Sequence, residues 1–131
     1  MWQVIFSSEF ERWFSELERE AQLNVARALA LLQERGPQLS RPYADVIHGS
    51  KLTNLKELRI QHEGNPYRAF FVFDPQRQAI VLCAGNKKGN DKRFYKEMIP
   101  LAESIYDAYL KGIEWWLHLN HYLHCLIRYL P

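Results

Sequence analysis

The sequence predicts an α+β domain in which an N-terminal strand and a pair of helices pack on a twisted antiparallel sheet and a last helix follows. Three observations carry this. Residues 8–34 repeat apolar side chains at helical spacing, residues 55–85 change to strand-like runs, and residues 100–111 return to helical spacing. The chain order is therefore β-α-α-β-β-β-α. With 131 residues, 47% of them hydrophobic, the chain has enough apolar surface for one core and is short for two.

Each element has its own signal. Trp2–Phe6 is short and β-prone, as expected of an edge strand. Ser8 and Glu11 have the spacing of a capping box, and Phe10, Trp13, Phe14 and Leu17 follow on one helical face. Ala21, Val25, Ala28, Leu29 and Leu32 continue the stripe in a shifted phase, which predicts a break around Glu18 to Ala21 and hence two helices. Gly36 and Pro37 stop the second. Residues 38–51 read as a Pro-punctuated loop. Leu55–Gln61 then alternates apolar and charged residues, His62–Pro66 turns the chain, and Tyr67–Asp74 is rich in aromatic and β-branched residues. Ala79–Gly85 is apolar enough to be covered on both faces, so the three strands form an antiparallel meander. Residues 90–98 suit a helical turn, and Pro100 suits the first position of a separate helix bearing Leu101, Ile105 and Ala108 on one side.

Charge is unevenly spread. The net charge is only +2, yet residues 54–96 carry nine Lys or Arg against four Asp or Glu, whereas residues 1–35 carry four against six. A local excess of this kind attracts a polyanion. Lys87, Lys88, Lys92, Arg93 and Tyr95 fall within nine residues at the end of the meander. Arg59 and Arg68 flank one turn on adjacent strands, so an antiparallel register can set them side by side, and a slip of one residue separates them. The plain alternative is that each pairs with an acidic neighbour, Glu57 or Glu63, and is inert.

No Asp-x-Asp or His–Glu cluster with metal-ligand spacing occurs in the basic region, which disfavours a metal-dependent nuclease. A protein without a metal can still cleave RNA, because the 2′-hydroxyl is an internal nucleophile that needs only orientation, proton transfer and neutralisation of the phosphorane. Lys51, His48 and His62 are further acid–base candidates from loops or turns. A phenol such as Tyr95 is a poor base near neutrality unless neighbouring cations lower its pKa. The N-terminus has no basic region followed by an apolar run, and Cys83 and Cys125 lack metal-ligand spacing, so the expected location is the cytoplasm, with no membrane association.

The segments "GSKLTNLKELRIQ", "YRAFFVFD" and "AIVLCAGNKKGNDKRFYKEMIP", in that order and spacing, resemble the toxin half of RelE/ParE-superfamily toxin–antitoxin modules, most closely the HigB-like branch, over Ser7 to Leu110. The resemblance implies a ribosome-dependent, metal-independent mRNA endonuclease (an mRNA interferase) without a cofactor. It also implies inhibition by a cognate helix-turn-helix antitoxin. By position, Arg59 and Arg68 would hold the scissile phosphate and Lys87 would line the same site. Tyr95, or failing it Lys51 or His48, would transfer protons. Lys51, Lys56, Lys88, Lys92 and Arg93 would contact RNA.

Residues 112–131, "GIEWWLHLNHYLHCLIRYLP", extend beyond the toxin-like domain of residues 1–111 as an aromatic-rich tail read as helical. His118, His121 and Cys125 would then share a face, more in keeping with packing than with a metal, and a tail folded over the open sheet face would block the basic groove. Two other readings stay open: a ParE-like gyrase-targeting toxin that does not cut RNA, and a decayed, non-enzymatic interaction protein.

Overall fold

The computed structural model describes residues 2–112 and the backbone of Trp116–His118. It is α+β, and its sheet is mixed rather than purely antiparallel. In chain order the elements are β1 (Gln3–Ser7), α1 (Ser8–Ser15), α2 (Arg19–Arg35), β2 (Ala44–Val46), β3 (Lys56–His62), β4 (Asn65–Phe73), β5 (Gln78–Asn86), α3 (Asp91–Leu110) and β6 (Trp116–His118), with a 3₁₀ turn at Gly36–Gln38. The strand order is β2-β3-β4-β5-β1-β6.

The meander β3–β4–β5 is antiparallel, as the alternation predicts. Its first turn is the two-residue Glu63–Gly64 loop, both residues at positive φ, the conformation whose twist matches a hairpin. β1 departs from expectation because it is not an edge: it pairs in parallel with β5 and antiparallel with β6. The passage through α1 and α2 carries the chain to β2 at the far edge, and the meander then works back across the sheet until β5 lies beside β1 in the same direction. Short β2 lies within the stretch read as a loop and adds to β3. In the tail, Trp116–His118 is a strand rather than helix, laid along the sheet edge. His121 and Cys125 lie outside the described residues.

Helices cover both faces. On one, Phe10 and Phe14 of α1 with Ala21, Val25, Leu29 and Leu32 of α2 bury Val4, Phe6, Leu58, Ile60, Ala69 and Phe71. On the other, Phe94, Met98, Ala102 and Ile105 of α3 pack on Ile5, Phe70, Val72, Ile80 and Leu82. The α1–α2 break falls at Glu16–Glu18, close to the phase shift of the apolar stripe. The cap of α1 is one residue earlier than expected: Ser7, fully buried, accepts from the Phe10 N–H at 3.1 Å and donates its hydroxyl to the Leu82 carbonyl at 2.6 Å. Leu82 lies where the β4–β5 register shifts. One hydroxyl therefore caps a helix and serves a carbonyl at the irregular step of the ladder.

α3 also differs from the reading, since Pro100 lies inside one continuous helix of 20 residues. Proline there forgoes one backbone hydrogen bond, but its side chain is exposed and the deprived carbonyl one turn back can be hydrated. The apolar residues Phe94, Met98, Ala102 and Ile105 lie on one face across the proline, and their burial holds the helix together.

Candidate functional site

Register decides the site. Arg59 of β3 stands directly opposite Arg68 of β4, and Glu57 opposite Phe70, on the face that α3 covers. α3 packs on Phe70, Val72, Ile80 and Leu82 of this face, and Arg59 of β3 stays partly exposed. Its first turns bring Tyr95 over the strands, where the phenol donates to Glu57 Oε1 at 2.6 Å.

The two guanidiniums share an acid rather than each owning one. Arg59 Nε donates to Glu57 Oε2 at 3.1 Å, and Arg68 Nε lies 3.7 Å from Glu57 Oε1. Arg59 also reaches Asp45 of β2 at 3.1 Å, while Arg68 Nη1 donates to its neighbour's carbonyl, Tyr67 O. Arg68 Nε is buried and makes no hydrogen bond among the described residues. Its charge is balanced by the Glu57 carboxylate at 3.7 Å, too long for a hydrogen bond. Glu57 is 5% exposed in its side chain and Arg68 11%, whereas Arg59 at 32% reaches solvent, so the site opens on the Arg59 side.

Lys87, at the end of β5, places its ammonium 5.8 Å from the centre of the Tyr95 ring and 3.4 Å from Asp91. Gly85 faces Arg68 across the β4–β5 ladder. A Cβ on Gly85 would sit 2.9 Å from the Phe94 ring, so the missing side chain is what lets the start of α3 approach the strands. The Tyr95 phenol is pushed up to about 12, first by burial and then by the bond to Glu57, with Arg68 opposing. This reverses the expectation that cations would lower it: at neutral pH Tyr95 holds its proton and can donate it. Asp45 is lowered by the Val46 N–H and the guanidiniums of Arg41 and Arg59.

Other residues singled out in the sequence lie elsewhere. Lys56 alternates with Glu57 and so points to the opposite face, its ammonium 5.5 Å from the Phe73 ring. Lys51 sits in the loop that Glu103 pins to α3, accepting from the Lys51 N–H at 2.6 Å and the Ser50 hydroxyl at 2.8 Å. Glu103 is eight residues beyond Tyr95, about 12 Å along the helix. Lys92, Arg93 and Lys96 line a shallow depression on the outer side of α3, with Arg93 paired to Glu97 at 3.0 Å. Lys88 is exposed beside them, and His48 is exposed in its loop.

His62 is buried instead of lying in an open turn. Its Nε2 is 2.9 Å from Glu18 and 3.7 Å from Glu63, a His–carboxylate group invisible to local spacing because Glu18 lies 44 residues away. These ligand atoms lie within 4.8 Å of one another. Asn24 Oδ1 accepts from Arg27, which turns the Asn24 amide nitrogen toward His62 Nδ1 at 2.6 Å. That leaves the proton on Nε2, facing Glu18, so the group is internally satisfied as a hydrogen-bonded tie between α2 and β3.

The residue that local reading undervalued is Glu57, considered only as an ion-pair partner. The Glu57-x-Arg59 alternation already places both on one face. That Tyr95 and Arg68 meet the same carboxylate is a tertiary fact.

The family model described as "Phage derived protein Gp49-like (DUF891)" matches residues 12–107. Among individual proteins, the chain is 44% identical over 107 residues to "Putative toxin HigB3" of Mycobacterium tuberculosis, covering 82% of this chain and 92% of that one. It is 41% identical over 115 residues to "Putative toxin HigB2" of the same organism, covering 85% of this chain but only 57% of that protein's length. The matched span contains every residue of the Arg59–Arg68–Glu57–Tyr95 cluster, and the chain belongs to the Gp49-like family of phage-derived proteins.

Proposed function

We propose that this protein is the toxin of a toxin–antitoxin pair, of the RelE/ParE type and HigB-like branch, and that it inhibits translation as a metal-independent endoribonuclease cutting mRNA on the ribosome. The observation that carries this reading is the pair Arg59 and Arg68, directly opposed on one sheet face beside Lys87 and roofed by Tyr95. Both relatives bear toxin names, which supports the same reading.

In this mechanism Arg59, backed by the positive charge of Arg68, holds the scissile phosphate, and Lys87 adds charge as the phosphorane forms. Fixed donors aimed at a developing oxyanion are each worth roughly 3 to 4 kcal/mol. Tyr95, protonated at neutral pH, donates toward the leaving oxygen. Lys88, Lys92 and Arg93 contact flanking phosphates. Lys51 and Lys56 lie away from the reacting centre and have no part in the chemical step. A cognate helix-turn-helix antitoxin would bind the protein in the cytoplasm and silence it.

The test is primer-extension mapping of cellular transcripts after brief induction. Discrete cuts within translated regions are expected. A DNA-damage response with intact messages would instead indicate a gyrase-directed toxin, and normal growth would indicate an interaction protein without catalysis.

A further inference from the structure

We propose that Glu57 is the proton acceptor of the cleavage step and that Tyr95 is the donor it recharges. This rests on the ribonuclease reading above. Transfer from the 2′-hydroxyl needs a base within the cation cluster, and three carboxylates border it among the described residues, of which Asp91 is exposed and pairs with Lys87 at 3.4 Å rather than with either arginine. Asp45 is engaged on its outer side by Arg41 at 2.8 Å and by Arg59. Glu57 stands between both guanidiniums, with Arg59 Nε at 3.1 Å and Arg68 Nε at 3.7 Å. A phosphate held by those two groups brings its own ribose within reach of Glu57.

The contact between Glu57 and Tyr95 closes the proton cycle. As the 2′-oxygen bonds to phosphorus, its proton passes to a Glu57 oxygen. The bond from phosphorus to the 5′-oxygen breaks, and that oxygen takes the Tyr95 proton. Protonated Glu57 then returns its proton to the Tyr95 oxygen across their existing hydrogen bond. The products are a 2′,3′-cyclic phosphate and a 5′-hydroxyl, and both side chains regain their starting states. The high phenol pKa suits Tyr95 to donation and leaves the accepting role to its partner. The groups facing Glu57 are Arg59 and Arg68 from the strands and Tyr95 from α3, with Lys87 beside the Tyr95 ring and Asp45 acting through Arg59.

The experiment follows single-turnover cleavage of a defined mRNA on translating ribosomes, from acidic to mildly alkaline pH, for the full chain and its variants. Glu57→Gln is expected to lower the rate by at least about 100-fold and to remove the acidic limb of the pH–rate profile. Should Glu57→Gln melt well below the parent, Glu57→Asp carries the test, and it should retain the acidic limb at a reduced rate. An mRNA with bridging sulfur at the mapped 5′ position, whose thiolate leaves without a proton, should rescue Tyr95→Phe and not Glu57→Gln. Retention of the limb by a folded Glu57→Gln, its loss in Glu57→Asp, or rescue of Glu57→Gln by sulfur would overturn the assignment. Failure of the parent protein to cleave would refute the ribonuclease reading itself, a distinct result.

Discussion

Tyr95 donates its hydroxyl to Glu57 at 2.6 Å across 38 residues of sequence, and the same carboxylate receives Arg59 from its own strand. α3 is thereby tied to β3 beside the place where Arg59 and Arg68 face each other. On the ribonuclease proposal, disturbing the seating of α3 should therefore disturb activity through this contact.

Arg68→Ala should abolish growth inhibition while leaving the protein folded. The substitution removes a buried cation whose Nε has no hydrogen-bond partner among the described residues, and Glu57 keeps Arg59 and Tyr95. Loss of one oxyanion donor costs about 100- to 1,000-fold in rate. Cell growth after induction, together with a melting curve of the purified variant, checks both halves. A soluble variant that remains fully toxic would remove Arg68 from the site.

Stability should fall as pH rises above 9. The Cys83 thiol is raised from 9.0 to about 12 by burial, and the Tyr95 phenol from 10.0 to about 12 by burial and Glu57. A folded-state pKa above the unfolded value means that the unfolded chain releases its proton first, so base favours unfolding across that window. Urea midpoints measured at increasing pH should drop, and Tyr95→Phe should flatten the part of the drop above 10.0.

Gly85→Ala should damage activity more than stability. The added methyl would lie 2.9 Å from the Phe94 ring, which must move and carry the first turn of α3 with it. Tyr95 then loses its reach to Glu57, and misplacement of about 1 Å can cost on the order of 100-fold. Cleavage rate set against melting temperature distinguishes this from general destabilisation.

Ser7→Ala should destabilise the fold by about 1 to 3 kcal/mol without touching the site. It removes both the cap of α1 and the donor to Leu82, in a fully buried position. Urea denaturation measures the loss, and cleavage by the folded fraction should be unchanged.

Much of the architecture was legible from spacing alone. The two N-terminal helices, their break, the meander and its turns follow from apolar periodicity and from glycine and proline positions, because burial of one face imposes that pattern on the chain itself. The chemistry of the site was legible only as a set of candidates. Arg59, Arg68, Lys87 and Tyr95 were candidates by charge and resemblance. Lys56 and Lys51 were expected to contact RNA, and the structure puts Lys56 on the other sheet face and Lys51 in a loop held far along α3. Pro100 looked like a helix start because local rules price its missing N–H but not the burial of Phe94, Met98, Ala102 and Ile105 on either side.

The sequence by itself determined the two N-terminal helices, the three-stranded meander and the concentration of cations in the middle of the chain. Only the tertiary structure decided that β1 lies parallel to β5, that Arg59 meets Arg68 rather than slipping past it, and that one carboxylate serves two strands and a helix. The physical reason is range. Periodicity and capping act within a few residues, whereas strand register and the approach of α3 depend on side chains packed from distant parts of the chain, and a shift of one residue there moves every charge to the other face.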